Sequence, residues 1–321
     1  MKNLVKNVQN NNFLQKMWQN GDTIILGVSG GPDSMCLLDV MARIAKKESL
    51  TIVVAHVNYG LRGEDSIADQ ILVERVAQRH GFVCEVKEYL DIQKGSESQW
   101  RKMRYDFFEK MRKKYEAQVI AVAHNKNDQA ETLLLRLLRG SGLVGLSGMR
   151  WRSKNDVIRP FLNVSRADVL SYCEKHALSY NLDKTNDDNV YTRNNIRNNL
   201  LPYLEKEFNP RIVDVLANSA TTIADDYAML RKNIVVFWNY IEKKEKIIFS
   251  VQKFLKNDVS MQRLSLRIMI KILRGTTKNI ERGVVEEMRK MIASTKGKNQ
   301  EFVGKDLKML KKGDTVELMC L

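Results

Sequence analysis

Ser29-Gly30-Gly31-Pro32-Asp33-Ser34 is the stretch that decides how this chain is read, because of what stands on either side of it. Before it runs TIILGVS, Thr23 to Ser29, short, apolar and rich in β-branched residues, the signature of a strand. After it, Ser34 to Lys47 carries the apolar spacing of a helix. Two glycines between a strand and a helix let the backbone approach a phosphate without interference from Cβ atoms. Ser34 is placed to cap the helix, whose first N–H groups then face an anion. A plain turn that needs only its glycines is the alternative. Asp33 favours the phosphate cradle, since a carboxylate aimed at a phosphate makes sense only with Mg²⁺ or a hydrogen-bond donor between them.

Moving outward, the pattern repeats. TIVVAHV (Thr51 to Val57), VCEVKEY (Val83 to Tyr89) and QVIAVAH (Gln118 to His124) read as further strands. Ser66 to His80, with Gly81 as its expected C-terminal cap, and Trp100 to Lys114 read as helices. Strand and helix alternating at this spacing predict an α/β fold, a doubly wound parallel sheet covered on both faces. From Arg166 the pattern turns almost wholly helical, and after Pro210 no strand signal recurs until the last thirty residues. At 321 residues the chain is long for one core. A catalytic domain over 1–209 and a basic, mainly helical domain over 210–321, tipped with terminal strands, are expected.

Charge supports that division. Lys and Arg number 53 against 38 Asp and Glu, a formal net charge of +15. Residues 211–321 hold 22 basic against 13 acidic residues, and residues 1–210 hold 31 against 25. Such an excess points to a polyanionic partner, nucleic acid first. No stretch approaches the ~18 consecutive apolar residues of a membrane span, and MKNLVKNVQNNNFLQK places Lys and Asn where a secretory signal needs an apolar run. A cytoplasmic location is therefore expected. Cys36, Cys84, Cys173 and Cys320 stand singly, which supports neither disulfides nor a zinc or iron–sulfur centre.

Further polar motifs close the second and fourth strands: AHVNYGLRGEDS (Ala55 to Ser66) and AHNKNDQAET (Ala123 to Thr132). Carboxyl ends of neighbouring strands in an open parallel sheet line one crevice, so Ser29–Ser34, His56–Arg62 and His124–Glu131 are expected to converge there. His56 and His124 read either as nucleotide contacts or as strand ends making structural hydrogen bonds. Asp128 reads either as a helix cap or, with Asp33, as a second ligand for Mg²⁺. Arg193 and Arg197, with Asn194 beside them, lie at i, i+4, which puts both guanidinium groups on one helical face. A solvated surface is the alternative for that face. Gly140-Ser141-Gly142-Leu143-Val144-Gly145 matches a dinucleotide fingerprint by letter only: it follows the helical AETLLLRLLR instead of a strand, so helix termination at Gly140 and a flexible loop through Gly148 is the better reading. Trp18, Trp100, Trp151 and Trp238 read as packing residues.

The hexapeptide resembles the loop of PP-loop ATP pyrophosphatases. The full series adds LLRGSGLVGLSGM (Leu137 to Met149), RPFL (Arg159 to Leu162) and the DKTN and TRNNIRNNLLP segments between Asp183 and Pro202. In this order it is similar to the tRNA(Ile)-lysidine synthetase family over about residues 20–210. The resemblance implies a two-step ligation using ATP and Mg²⁺. The wobble cytidine of an isoleucine tRNA with a CAU anticodon is adenylated at its C2 oxygen, and free L-lysine then displaces AMP, changing codon reading from AUG to AUA. It implies an ATP site at Ser29, Gly30, Gly31, Pro32, Asp33, Ser34, His56 and His124, with Asp33 holding Mg²⁺. It implies catalytic roles for Asp33, Asp128, Arg193 and Arg197, and tRNA contacts at Arg62, Arg139, Gly140 and Gly142. The sequence departs from the family at Asn127, where an acid is usual. Alternatives within the superfamily are a tRNA cytidine or uridine thiolase, against which the isolated cysteines weigh, and a small-molecule amidotransferase, which leaves the basic second half unexplained. A non-catalytic tRNA-binding protein fits poorly with an intact S-G-G-P-D-S. A homo-oligomer is left open.

Overall fold

The computed structural model describes residues 3–89, 95–153, 155–181, 192–237, 241–243, 246–297 and 299–321. The DKTN segment and Trp238 lie outside them. The chain divides into two compact units, Met1–Asp225 and Asp226–Leu321.

In the first unit, Thr23–Gly27 (β1), Thr51–Asn58 (β2), Val83–Glu88 (β3), Val119–Ala121 (β4) and Val157–Ile158 (β5) form one sheet in the order β3-β2-β1-β4-β5. All its pairings are parallel. Alternate side chains serve opposite faces, as a strand's two-residue period requires. Ile24 and Leu26 of β1 join a core with Leu4–Gln15 (α1), Pro32–Glu48 (α2), Glu64–Arg79 (α3) and Arg166–Lys175 (α7), while Ile25 joins Val53, Ile120 and Val157 against Phe107, Phe108 and Met111 of Glu97–Lys114 (α4). Burial on both faces is why β1 and β2 are continuously apolar at Ile24–Leu26 and Ile52–Ala55. Gly81 takes φ +74 directly after α3, as a helix-ending glycine should.

Successive strands step from β1 towards β3 on one side and from β4 to β5 on the other, so the winding reverses between β1 and β4. Ligand crevices in open α/β sheets lie at that reversal, beyond the carboxyl ends of the strands. The segment after β1 is the S-G-G-P-D-S loop, and the segment after β4 leads into Lys126–Leu138 (α5). Beyond α5 come Leu143–Leu146 (α6), Thr192–Asn195 (α8), a π-helical turn Ile196–Leu200, Leu201–Glu207 (α9) and Ile212–Phe237 (α10). A small core of Ala130, Leu134, Ile196, Leu201 and Val213 ties α5 to these last helices. That packing carries the start of α10 into the first unit, so the division falls within α10, beyond the boundary expected near Arg211.

The second unit is built on an antiparallel sheet, order β6-β7-β10-β9-β8, of Ile241–Lys243 (β6), Lys246–Ser250 (β7), Asn299–Gly304 (β8), Leu307–Lys312 (β9) and Thr315–Cys320 (β10). Val251–Leu255 (α11), Val259–Arg274 (α12) and Arg282–Ala293 (α13) complete it. Terminal strands are borne out, but β6 and β7 correct the expectation of an all-helical stretch after Pro210. Their alternation runs for few residues among Lys and Glu, and becomes stable only when Phe249 pairs with Val316 of β10. Among the described residues no helix is long and apolar enough to cross a membrane.

Candidate active site

The loop after β1 is closed by its own serines. Gly31 is the N-cap of α2 and Pro32 opens the helix, where a missing N–H costs nothing. Ser34 is therefore inside the first turn and not the cap expected from sequence. Its hydroxyl donates to the Gly31 carbonyl at 2.9 Å and accepts the Ser29 N–H at 3.1 Å. First-turn N–H groups of a helix have no intrahelical acceptor, so α2 presents donors and the positive end of its dipole to the crevice. Gly30 holds φ +91, and a Cβ there would lie 2.9 Å from the Asp69 carboxylate. Asp69 is in turn paired with Arg62 and accepts from the Asn181 amide at 2.7 Å, while the Asn181 N–H donates to the Gly30 carbonyl at 3.1 Å.

Asn125 links the two acids expected to work together. It caps α5, accepting the Asp128 N–H at 3.0 Å, and Asp128 accepts the Asn125 N–H at 2.9 Å in return. The Asn125 amide also donates to Asp33 at 2.8 Å. The second oxygen of Asp33 is paired with Arg166. Burial raises the Asp33 carboxyl above its ordinary range; Arg166 opposes this and the Asp128 charge adds to it. At Asp128 burial also disfavours the charge, but the neighbouring His124, Arg193, the Asn125 N–H and Arg197 outweigh it and keep the carboxyl low. Asn127 accepts the backbone N–H of Arg166 at 3.0 Å, a bond that needs only an acceptor.

Arg193 and Arg197 do share a face, and it is not a solvated one. Both reach Glu131 through Nε, at 2.9 and 2.6 Å, and Asp128 through Nη2, at 3.0 and 3.2 Å. Glu131 is 1% exposed. Two guanidinium groups thus face two carboxylates, the geometry in which buried ions are tolerated.

His56 ends β2 with Nδ1 2.9 Å from the Val28 carbonyl. A carbonyl only accepts, so Nδ1 carries the proton, and burial lowers the ring's affinity for a second one. His124 is pushed down to about 3 by burial and is neutral at physiological pH. Its Nδ1 is buried and has no hydrogen-bond partner among the described residues.

These groups meet in one cleft of about 680 Å³. Ser29, Asp33, Ser34, His56, Arg62, His124, Asp128, Arg193 and Arg197 all line it, and Gly30, Gly31 and Pro32 form the loop beneath. Arg139, Gly140 and Gly142 do not line it. Arg139 and Gly140 end α5, Gly140 with φ +68, and Gly142 caps α6. The stretch up to Gly148 is not the flexible loop expected: it contains α6 and is tied by Arg136 Nη1 to the Gly145 and Gly148 carbonyls at 2.6 and 2.8 Å. Sequence reasoning missed Asn125, Arg166, Asp69 and Asn181, and gave Glu131 no role of its own. For Glu131 a signal existed, since Asp128 and Glu131 are one helical turn apart. Trp100, read as packing, lines the cleft with Tyr59 and Tyr105.

The donor set suits ATP with a hard cation. Among the described residues no three His, Cys, Asp or Glu side chains gather into a metal cage. Mg²⁺ does not need one, being held by one or two carboxylates plus substrate phosphates, and Asp33 and Asp128 supply two in the same cleft.

Comparison with known proteins agrees. The PP-loop domain family matches residues 2–204. A tRNA(Ile)-lysidine synthase of Clostridioides difficile (strain 630) is 32% identical over 98% of this chain, which covers 69% of that protein. Another, of Clostridium tetani (strain Massachusetts / E88), is 35% identical over 88% of this chain and 62% of its own length is covered. The chain thus spans about two thirds of these curated relatives. Among solved structures, the U34-tRNA thiolase NcsA from Methanococcus maripaludis superposes with a TM-score of 0.56 at 17% identity, covering 75% of this chain and 80% of that one, a likeness of fold. By its loop, its sheet and these relatives, the chain belongs to the PP-loop family of tRNA(Ile)-lysidine synthases.

Proposed function

We infer that the cleft ligates L-lysine to C2 of the wobble cytidine in a CAU-anticodon isoleucine tRNA, in the cytoplasm, at the expense of ATP. The C2 oxygen attacks the α-phosphorus of ATP and pyrophosphate leaves. The lysine ε-amine, having lost a proton, then attacks C2, and AMP departs with the oxygen. A carbonyl oxygen is a poor leaving group until phosphorylated, which is why the first step is needed.

The observation that carries this reading is the convergence, at the sheet's reversal point, of the Ser29–Ser34 loop with the Asp33–Asn125–Asp128 chain. Donors of the α2 N-terminus, with the Ser29 hydroxyl, receive the β- and γ-phosphates, while the Ser34 hydroxyl, its proton given to the Gly31 carbonyl, holds the loop in shape. Asp33 would hold Mg²⁺, whose charge would offset that of the departing pyrophosphate. Arg193 and Arg197, their charges matched by Asp128 and Glu131, orient Asp128, which in this reading receives the metal or the lysine ammonium. His124, neutral, offers or accepts one hydrogen bond without adding charge. The basic second unit, with the 211–321 charge excess, binds tRNA phosphates.

Pyrophosphate release measured with and without tRNA, and with and without lysine, tests this. Release that requires tRNA and not lysine is expected. Release with lysine alone would make the chain a small-molecule ligase, and release driven by a sulfur donor would make it a thiolase.

A further inference from the structure

The wall of the cleft away from the phosphate loop is aromatic, and its rings are braced by one another. Tyr59 donates its hydroxyl to the Trp100 backbone carbonyl at 2.7 Å, and the two rings lie 6.3 Å apart at 44°. On its other side Tyr59 stacks on Tyr89 at 6.0 Å and 15°. Tyr105 is held edge-on by Phe108 at 5.9 Å. Tyr59, Trp100 and Tyr105 are each only half-buried and line the cleft. Two guanidinium groups accompany the rings, Arg104 at 5.9 Å from Tyr59 and Arg101 at 4.9 Å from Tyr105, and both side chains are exposed. Positions 100, 101, 104 and 105 share one stripe of α4 by their i, i+4 spacing.

Aromatic faces with adjacent guanidinium groups are how single-stranded nucleic acid is held: a base stacks on the ring and the cations take its neighbouring phosphates. ATP offers a base too, but its phosphates are already served by Ser29–Ser34 and α2. Arg101 and Arg104 call for different anions, and a nucleotide within an RNA chain carries a phosphate on each side. We propose that Trp100, braced by Tyr59, forms the stacking shelf for the RNA base to be modified, with Arg101 and Arg104 on the flanking phosphates. This rests on the reading of the cleft as RNA-modifying.

The test is affinity for a full-length CAU-anticodon tRNA, for the same tRNA lacking the wobble base, and for ATP. Trp100→Ala should weaken binding of the intact tRNA about 5- to 150-fold, the range for one lost base stack. Trp100→Phe, which keeps a ring and guards against misfolding, should stay within about threefold, since stacking tolerates any π-face. The abasic tRNA should bind wild type as weakly as it binds Trp100→Ala, and ATP affinity should hold within about threefold because its phosphates are anchored elsewhere. Arg104→Ala should shallow the salt dependence by about 0.7 in log–log slope for one phosphate. The proposal is overturned if Trp100→Ala loses ATP and keeps tRNA affinity, or if wild type binds abasic and intact tRNA equally. If wild type binds neither tRNA, the RNA-modifying reading falls with it.

Discussion

Glu131→Gln removes one charge from a buried, matched cluster while keeping the side chain's shape. Its carboxylate accepts from Arg193 Nε at 2.9 Å and from Arg197 Nε and Nη2 at 2.6 and 3.0 Å. Those arginines also share Asp128, so the wild-type cluster balances two positive against two negative groups. Removing one partner of a buried ion pair costs about 3–5 kcal/mol, because the other charge is left uncompensated. Here the Arg193 and Arg197 side chains keep 25% and 30% exposure. Asp128 also remains, so the lower end applies, about 3 kcal/mol. Urea denaturation followed by circular dichroism reads this as a lowered midpoint with an unchanged slope. Neutralising both members, in Glu131→Gln with Arg197→Gln, should cost less than the sum of the single changes, since no charge is stranded. A loss below about 0.5 kcal/mol for Glu131→Gln, or strict additivity in the double variant, would refute the claim that this cluster is a buried, matched network.

Three further outcomes follow from the site. Asp33→Asn should abolish pyrophosphate release, change tRNA affinity by no more than a few-fold, and flatten the acid-side pH dependence of stability. Burial raises the Asp33 carboxyl, so the folded protein holds that proton at a higher pH than the unfolded chain, and wild type loses this contribution as pH rises from the ordinary carboxyl value of 3.8 through the folded pKa. An equal loss of tRNA binding would remove Asp33 from the phosphate end. Gly30→Ala should destabilise by about 1–3 kcal/mol and raise the ATP requirement, since its φ of +91 and the Asp69 carboxylate at 2.9 Å both oppose a Cβ; a thermal melt unchanged from wild type would contradict that. Asp128→Asn should raise the lysine requirement about ten- to a hundredfold if the carboxylate receives the ammonium through a charge-assisted bond. A defect confined to pyrophosphate release and relieved by excess Mg²⁺ would assign it to the metal instead.

The parallel sheet was legible because β1 and β2, buried on both faces, have to be continuously apolar, and because S-G-G-P-D-S can bridge a strand and a helix only in a few ways. The Arg193 and Arg197 face followed from spacing alone. Their partners did not: Glu131 sits in a helical pattern where any acid reads as surface. Arg166 reaches Asp33, and Asn181 reaches Asp69, from far along the chain, which no local period encodes. Trp100 looked like core because its helix is aromatic along much of its length. Only the packed fold shows that Phe107, Phe108 and Met111 fill the core while Trp100 and Tyr105 stand at the cleft. Strands β6 and β7 were hidden by their brevity, being completed by residues near the C-terminus.

The central claim is that lysine becomes bonded to C2 of one cytidine through an adenylated intermediate. Incubate the protein with a CAU-anticodon isoleucine tRNA, ATP and Mg²⁺, add isotopically labelled lysine, then digest the tRNA and weigh the anticodon fragment by mass spectrometry. Before lysine is added, the fragment should carry one adenylate and pyrophosphate should be free. Afterwards AMP should be released and the wobble nucleotide should be heavier by one labelled lysine less one water. A fragment that gains sulfur or ammonia in place of lysine, or that carries the label anywhere but the wobble cytidine, would contradict the account.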